Sequence, residues 1–265
     1  MFIYSIFLDE FIWSYSRINT YHICPFAFYL QYIKCIPKEY QDDNFFAQWG
    51  SFIHVILEKY YNRSAEIYEL SSIYEKEYRN HVTHPAPPNE YVDLNLSYYI
   101  AGKNYFDNFT DIYENCEILG VEKEINVNID GYKFTGYADL IVKSDDGIHI
   151  SDNKSKKSFK DKKEQEDYFR QLYLYSLYIK DEYGEYPKWL DLNLVRGNKV
   201  ISEKFQKAKL EKARILFIDT IKEIYKDNSF NAKPNSFFCD WLCSVRSFCE
   251  HSKRFIKKWE GVDGY

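Results

Sequence analysis

The chain has 265 residues, of which 45% are hydrophobic, so it is long enough to bury a substantial core. Its net charge of -5 excludes a protein that coats nucleic acid by charge alone, so any contact with phosphates has to be local. The apolar start, MFIYSIFLDEFIW, is interrupted by Asp9 and Glu10 and lacks a basic beginning, which argues against a signal peptide or a membrane span. We expect a cytoplasmic protein without a membrane partner.

Helical patterns dominate the first part of the chain. Ser14 or Ser16 can cap a helix that runs to about Cys24, where Pro25 breaks or restarts it. The apolar residues of GSFIHVILEKYYN recur with helical spacing and place His54 on a buried or half-buried helix. After a proline-rich loop, HPAPPNE, the stretch LSYYIAGKNYFDNFTDIYEN is predicted to form another helix.

From Val121 the pattern changes to strands. The alternation in VEKEINVNID, the turn Asp130-Gly131 and the stretch YKFTGYADLIVK predict a hairpin. A second turn, Ser144-Asp145-Asp146-Gly147, leads into a third strand, IHISDNK, so the three strands form an antiparallel meander. The helix EDYFRQLYLYSLYIKDEYG, the strand pair WLDLNLV and KVISEKF, and a helix from about Lys207 to Lys226 follow.

This order of elements predicts a single α/β (α+β) domain over residues 1–265, with a central mixed sheet flanked by helices. Its parts are a helical N-terminal part, residues 1–115, a sheet with its helix, residues 116–206, and a helical C-terminal part, residues 207–265. The last part contains a cluster of cysteines.

Two acidic residues and a lysine meet in the predicted meander. Asp152 and Lys154 share one face of the third strand, because side chains alternate along a strand. If the turn has the loop Asp145-Asp146, Asp139 lies directly opposite Asp152. If the loop is one residue later, Asp139 faces Lys154 and stays diagonal to Asp152. The three side chains meet in both registers.

Two carboxylates and one lysine are what a metal-dependent phosphodiesterase requires. Carboxylate oxygens hold Mg²⁺ or Mn²⁺ beside a phosphate. An ammonium group orients or deprotonates water, or stabilises developing charge. The alternative for Asp139, Asp152 and Lys154 is a surface ion pair on a solvated strand, although the apolar neighbours place the motif next to a core.

These residues resemble those of the PD-(D/E)XK nucleases. GYADLIVKSDDGIHISDNK is similar to motifs II and III of the RecB/AddB-type branch, which includes the CRISPR spacer-acquisition exonucleases. The stretches SYSRINTYHICPFAFYLQYI, GSFIHVILEKYY and QLYLY resemble that branch's opening Cys-Pro pattern, its Gly-x-x-x-His helix and its Gln-Leu-x-x-Tyr helix. The resemblance covers most of the chain and implies a restriction-endonuclease-like core. Ala138 departs from the pattern, because it stands where the name-giving proline would be.

The resemblance also implies roles for individual residues. Lys154 would activate the attacking water. The metal ligands would be the side chains of His54, Asp139 and Asp152 and the backbone carbonyl of Asn153. An imidazole ligand favours Mn²⁺ over Mg²⁺, although both ions bind oxygen-rich sites. The alternative for His54 is a hydrogen-bonded core histidine.

Gln171 and Tyr175 are four residues apart and therefore project from one face of a helix. The resemblance places that face over the site, in contact with the phosphate or the lysine. The alternative is that both residues belong to a tyrosine-rich core stripe.

The cysteines suggest a second metal site. In a reducing compartment six cysteines favour free thiols or metal ligands over disulfides. In the resembling nucleases one N-terminal and three C-terminal cysteines hold a 4Fe-4S cluster, which implies an iron-sulfur clasp formed by Cys24, Cys239, Cys243 and Cys249. The first C-terminal gap is three residues instead of the family's two. Zn²⁺ and no metal are the alternatives. Cys35 and Cys116 are expected to be ordinary thiols.

Lysines follow the third strand in NKSKKSFKDKK. Positive charge there would attract a DNA backbone, so Lys156, Lys157 and Lys160 are predicted to bind DNA, with a solubilising loop as the alternative. The stretch KFQKAKLEKAR is a second basic patch.

We therefore expect a metal-dependent DNA exonuclease, acting on single strands or free ends in recombination, repair, phage DNA processing or CRISPR-type adaptation. We expect either a bacterial protein or a phage protein that acts in the cytoplasm of its host. One alternative is a catalytically silent DNA-binding scaffold with a structural four-cysteine metal site. Another is a nuclease subunit that is active only with a helicase, recombination or integrase partner.

Overall fold

The computed structural model describes residues 10–260 of the chain. The first nine residues, which include most of the apolar N-terminal stretch, and the last five lie outside the described part. The chain divides into two compact units, Phe45–Ile215 and a second unit from Met1–Asn44 and Leu216–Tyr265. Within residues 10–260 no helix is long and apolar enough to cross a membrane.

Apart from one additional helix, the regular elements follow the predicted order. The longer helices of the described chain are α1 (Tyr15–Ile23), α2 (Phe45–Tyr61), α3 (Leu70–His81), α4 (Leu94–Asp107), α5 (Lys162–Tyr183) and α6 (Lys207–Lys226). The strands are β1 (Glu117–Ile129), β2 (Tyr132–Ser144), β3 (Gly147–Lys154), β4 (Trp189–Leu194) and β5 (Lys199–Lys204). Short helical turns occupy Pro25–Phe28, Tyr29–Ile33, Lys38–Tyr40, Ile67–Glu69, Val195–Gly197, Phe238–Leu242 and Arg246–Phe248.

The larger unit contains a five-stranded sheet in the order β1-β2-β3-β4-β5. The first three strands pair antiparallel, β3 pairs parallel with β4, and β4 pairs antiparallel with β5. The predicted mixed sheet and its meander are therefore confirmed. Helix α5 connects β3 to β4, as a parallel pair needs a long crossover.

Apolar side chains of α2 hold that helix in the core of the larger unit. Trp49, Phe52 and Ile56 are at most 1% exposed and belong to one buried cluster with Tyr74 of α3. Trp49 Nε1 donates a hydrogen bond to the Tyr74 hydroxyl at 3.1 Å. His54 lies between these apolar positions and is only partly buried, at the edge of the core.

Two helices differ from the sequence prediction. The helix predicted through Asn115 ends at Asp107, because Asp111 organises the following segment. The carboxylate of Asp111 accepts hydrogen bonds from the hydroxyls of Tyr60 and Tyr61 and from the main-chain N–H of Tyr113. Helix α3 was not predicted.

Helix α3 buries Leu70 and Tyr74, which lie one turn apart on the same face. Charged and polar residues surround them in LSSIYEKEYRNH, so the amphipathic pattern was present in the sequence but short.

In the second unit the start of α1 distinguishes between the two predicted caps. The side chain of Ser14 accepts a hydrogen bond from the main-chain N–H of Arg17 at 3.2 Å, so Ser14 is the N-cap. The helix ends at Ile23, and Pro25 opens the next helical turn, as predicted. A proline fits this first position because its missing N–H has no partner to lose there.

The same unit joins an early segment of the chain to a late one. Asp42 accepts hydrogen bonds from the main-chain N–H of Ser247 at 3.0 Å and from its hydroxyl at 2.7 Å. The buried Arg246 donates to the main-chain oxygen of Asp43 at 2.6 Å. These contacts hold the turn Arg246–Phe248 against the segment that follows the N-terminal helices.

The cap of α5 gives a stability prediction, because this helix carries Gln171 and Tyr175. The Asp161 carboxylate accepts a hydrogen bond from the main-chain N–H of Glu164 at 2.8 Å. We expect Asp161→Ala to lower the free energy of unfolding by about 1 kcal/mol. Asp161→Asn should lower it much less, because asparagine is also a good N-cap. Urea unfolding curves measure both values.

Asp181, an exposed residue of the same helix, serves as the matched control. The free energy of unfolding of Asp181→Ala should stay within about 0.5 kcal/mol of the unsubstituted protein. Equal losses at Asp161 and Asp181 would show that the cap makes no special contribution.

Candidate functional site

The turn between β2 and β3 brings the two aspartates together. Ser144 pairs with Gly147, so the loop is Asp145-Asp146, the first of the two predicted registers. The register continues to the pair Leu140 and Ser151, and one further residue places Asp139 opposite Asp152. Asp139 is 8% exposed and Asp152 is 2% exposed. Two carboxylates thus face each other in a buried position.

Lys154 lies on the same strand face as Asp152, as strand alternation predicted. Its ammonium nitrogen Nζ is 2.5 Å from Oδ2 of Asp152. Lys154 also donates a hydrogen bond to Oε1 of Gln171 at 3.2 Å. The structure therefore brings the predicted trio of Asp139, Asp152 and Lys154 together.

Helix α2 supplies a histidine to the same place. His54 Nδ1 is 3.5 Å from Oδ2 of Asp139. Its side chain remains 32% exposed, so the imidazole is at the surface of the site and not in the core. His54 comes from a part of the chain far from the meander, and only the packing of α2 against the sheet places it here.

Asn153 contacts the site through its main chain. Its N–H donates a hydrogen bond of 2.6 Å to Oδ2 of Asp139, which fixes the orientation of that carboxylate. The side chain of Asn153 points to the other face of the sheet, where its Oδ1 accepts a hydrogen bond from Asn193 at 2.8 Å. The ligand role of the Asn153 carbonyl stays a prediction.

Gln171 and Tyr175 of α5 continue the hydrogen-bond chain from the lysine. Gln171 Nε2 donates to the Tyr175 hydroxyl at 2.8 Å. Burial raises the pKa of Tyr175 well above its ordinary value, so the hydroxyl stays neutral. Gln171 thus links Tyr175 to Lys154. A contact with the lysine is one of the two that the resemblance implied for this helix face.

Glu122 is a site residue that the sequence reasoning missed. Its Oε1 lies 3.3 Å from Nδ1 of His54. Its backbone has a φ of 45°, a left-handed conformation that is strained for a glutamate and is common at functional positions. Counting back from the Asp130-Gly131 turn places Glu122 opposite Asp139, so the hairpin register was the signal that could have found it.

The acidic groups shift one another's proton affinities. Burial and the charge of Asp152 raise the pKa of Asp139 to about 7. Burial by itself lowers the pKa of His54, but the hydrogen bond to Glu122 and the charges of Asp139 and Asp152 raise it to about 9. Burial likewise lowers the pKa of Lys154, yet the charges of Asp152 and Asp139 leave it above its ordinary value. Negative charge around the site contributes to each of the three shifts, and burial is the largest cause of the rise at Asp139.

A divalent cation fits this arrangement. Nδ1 of His54, a carboxylate oxygen of Glu122 and one of Asp139 all lie within 4.8 Å of one another. Buried carboxylates that oppose each other are stabilised when a cation binds between them. An imidazole with several carboxylate oxygens is a donor set suited to Mn²⁺ or Mg²⁺. These residues could therefore hold the ion.

The predicted DNA-binding lysines differ in their surroundings. Lys156 forms an ion pair with Glu164 at 2.7 Å and lies over the ring of Tyr168. Lys157 and Lys160 are exposed. A DNA contact by any of these lysines stays a prediction, but the two exposed ammonium groups are the better placed.

The four predicted cluster cysteines lie in the second unit. Each has a buried and free thiol: Cys24, Cys239, Cys243 and Cys249. Burial, together with the charges of the other three thiols, raises the pKa of Cys243 to about 12, so the four sulfurs are neighbours.

Cys239 lies in the turn Phe238–Leu242, while Cys243 follows it in an extended conformation. The backbone therefore changes from helical to extended within the three-residue gap between the two cysteines. Cys35 is exposed and Cys116 is half-buried.

The family of the chain follows from comparison with known proteins. The model of the PD-(D/E)XK nuclease superfamily matches residues 12–250. The chain belongs to this superfamily. Membership implies a metal-dependent nuclease, and the mixed five-stranded sheet flanked by helices is a restriction-endonuclease-like α/β fold.

Other comparisons add little to this PD-(D/E)XK assignment. A solved structure entitled "Crystal structure of SSO0001" is 18% identical, with 69% of this chain and 80% of that chain covered and a TM-score of 0.33. No curated protein matches the chain. The assignment therefore rests on the family model.

Gly136 gives a prediction about the construction of the site. A Cβ at this position would be 2.5 Å from the hydroxyl oxygen of Tyr175, whose side chain is 3% exposed and has no room to move. We expect Gly136→Ala to lower the free energy of unfolding by about 1–3 kcal/mol, because overpacking displaces buried groups. Thermal and urea unfolding measure the loss.

Gly50→Ala is the control for this substitution. Its Cβ would meet only Ser155 Oγ, at an ordinary contact distance of 3.9 Å, within helix α2. Alanine favours a helix over glycine, so this variant should be as stable as the original protein or about 0.5–1 kcal/mol more stable. A Gly136→Ala protein as stable as Gly50→Ala would contradict the close packing of Tyr175.

Proposed function

We propose that this PD-(D/E)XK protein is a DNA exonuclease whose catalytic groups are His54, Asp139, Asp152 and Lys154. The observation that carries the proposal is the buried pair of Asp139 and Asp152 on two neighbouring strands. His54 from a helix and Lys154 from a strand both contact this pair. A scaffold protein does not need this arrangement, because burying two facing carboxylates is costly, and a metal ion bound between them offsets that cost.

His54, Glu122, Asp139, Asp152 and the carbonyl of Asn153 would hold the metal ion, with Mn²⁺ or Mg²⁺ as the candidates. Asp139 is the central ligand, because it contacts His54 from one side and is held by the main chain of Asn153 from the other. When bound, the ion supplies a Lewis acid for the scissile phosphate and lowers the pKa of a bound water.

Lys154 would orient the attacking water and stabilise the negative charge that develops on the phosphate. Its ammonium group is held between Asp152 and Gln171, and Tyr175 fixes Gln171 in turn. The water oxygen forms a bond to phosphorus while the bond to one ester oxygen breaks. That ester oxygen leaves with the bonding electrons and takes up a proton.

The DNA backbone would approach over the segment that follows β3. Lys157 and Lys160 are exposed there, and positive charge beside the site attracts phosphates in an otherwise acidic protein. The preference for single strands or free ends, and a place in recombination, repair, phage DNA processing or CRISPR-type adaptation, are proposed from the sequence resemblance.

Cleavage of end-labelled linear DNA with Mn²⁺, Mg²⁺ or EDTA tests the proposal. We expect Lys154→Gln and Asp152→Asn each to lower the cleavage rate at least about 100-fold, because both groups act at the reacting phosphate. Lys76→Gln is the control, since Lys76 is exposed on helix α3. It should cleave at the original rate.

Circular single-stranded DNA of the same length distinguishes the mode of cleavage. An exonuclease leaves the circle intact while it degrades the linear strand. Cleavage in EDTA, or full activity in both Lys154→Gln and Asp152→Asn, would rule out the proposed chemistry. Cleavage of the circle would rule out the exonuclease assignment alone.

We also propose that Cys24, Cys239, Cys243 and Cys249 hold a 4Fe-4S cluster. All four thiols are buried, and the charges of the other three affect Cys243, which supports their binding one common cluster.

Iron content and visible absorbance after anaerobic purification test the cluster. We expect about four iron atoms per chain in the original protein, and loss of both iron and colour in Cys243→Ala. Cys35→Ala, at an exposed cysteine, is the control and should retain both. A colourless original protein that contains zinc would contradict the cluster and support the alternative metal.

A further inference from the structure

A cavity lies on the face of the sheet opposite Asp139 and Asp152. It has a volume of about 420 Å³ and is lined by Ser151 and Asn153 of β3, Asn193 of β4 and residues of the segment after α4. Ser151 and Asn153 alternate with Asp152 along the strand, so this cavity is on the face of the sheet opposite the carboxylate pair. We call it the back-face pocket.

The pocket combines aromatic rings with uncharged polar groups. Tyr61, Tyr105 and Phe109 contribute rings to its lining, and Lys199 contributes an exposed ammonium group. None of the described residues that line the pocket carries a carboxylate. A ligand with a flat ring, polar ring edges and an anionic group would match this lining. The ring would contact the aromatic side chains, the edges the uncharged polar groups, and the anion Lys199.

Two amide side chains present a hydrogen-bonding edge inside the pocket. Asn193 Nδ2 donates to the Tyr105 hydroxyl at 2.6 Å and to Oδ1 of Asn153 at 2.8 Å. In the described part of the chain, this arrangement leaves Nδ2 of Asn153 as a donor and Oδ1 of Asn193 as an acceptor for a ligand. A donor and an acceptor on paired amides match the polar edge of a nucleobase.

We propose that the back-face pocket binds a free mononucleotide. The base lies against the aromatic rings with its polar edge on Asn153 and Asn193, and the phosphate interacts with Lys199. The volume is within the range of small-molecule pockets, about 300–1,000 Å³. Stacking on aromatic rings suits any base, so the amide edge supplies the orientation and the rings supply the affinity.

This inference goes beyond the nuclease proposal and does not depend on it. The base and its phosphate contact residues on the back of the sheet, and none of these contacts requires a metal ion. Binding is therefore measured in EDTA, where the proposed cleavage is absent.

Isothermal titration of the full chain with dAMP, dGMP, dCMP and dTMP tests the proposal. We expect at least one of the four to bind with a Kd below about 1 mM. Asn193→Leu should weaken that nucleotide and its nucleoside at least about tenfold, because the amide edge is lost. Lys199→Ala should weaken the nucleotide at least about threefold and leave the nucleoside unchanged, because only the phosphate contact is lost.

Lys207→Ala is the matched control, because Lys207 is an exposed lysine at the start of α6. It should bind as the original protein does. Asn193 is partly buried, so its variant is compared only if its thermal unfolding is cooperative. Lys199 is exposed, and its variant decides the question if Asn193→Leu does not fold.

Two results would overturn the proposal. One is the absence of binding for all four nucleotides at millimolar concentration. The other is binding that neither Asn193→Leu nor Lys199→Ala changes. In the first case, a thymidine oligonucleotide that binds with the expected variant effects would assign the pocket to a DNA strand.

Discussion

The opposition of Asp139 and Asp152 across β2 and β3 is the constraint on which the site depends. Two carboxylates are buried face to face, so each makes the negative charge of the other more costly. The neighbouring groups compensate for this. Lys154 pairs with Asp152, while His54 and the main-chain N–H of Asn153 approach Asp139. The structure makes these contacts in the register that the Asp145-Asp146 loop sets.

Strand β3 serves both faces of the sheet, because its side chains alternate. Asp152 and Lys154 face the carboxylate site, while Ser151 and Asn153 face the back-face pocket. Asn153 belongs to both, since its main-chain N–H orients Asp139 and its side chain pairs with Asn193. A ligand that moves the Asn153 side chain therefore acts on a residue that also holds the central carboxylate.

Local patterns predicted much of this arrangement. Strand parity joined Asp152 to Lys154, and a short turn brought Asp139 to them in either of two registers. Glu122 was within reach of the same argument, because the hairpin turn at Asp130-Gly131 fixes its partner. The end of α4 could not be predicted in this way, because Asp111 stops that helix through contacts with tyrosines about fifty residues earlier in the chain.

The sequence by itself determined most of the order of elements, the strand faces and the meeting of Asp139, Asp152 and Lys154. It did so because periodicity and turn chemistry act between neighbours in the chain. Tertiary structure decided the register, the approach of His54 to Asp139, the strained backbone of Glu122 and the pairing of Asn153 with Asn193. Each of these depends on packing between distant segments, and no local pattern encodes the distances at which such segments meet.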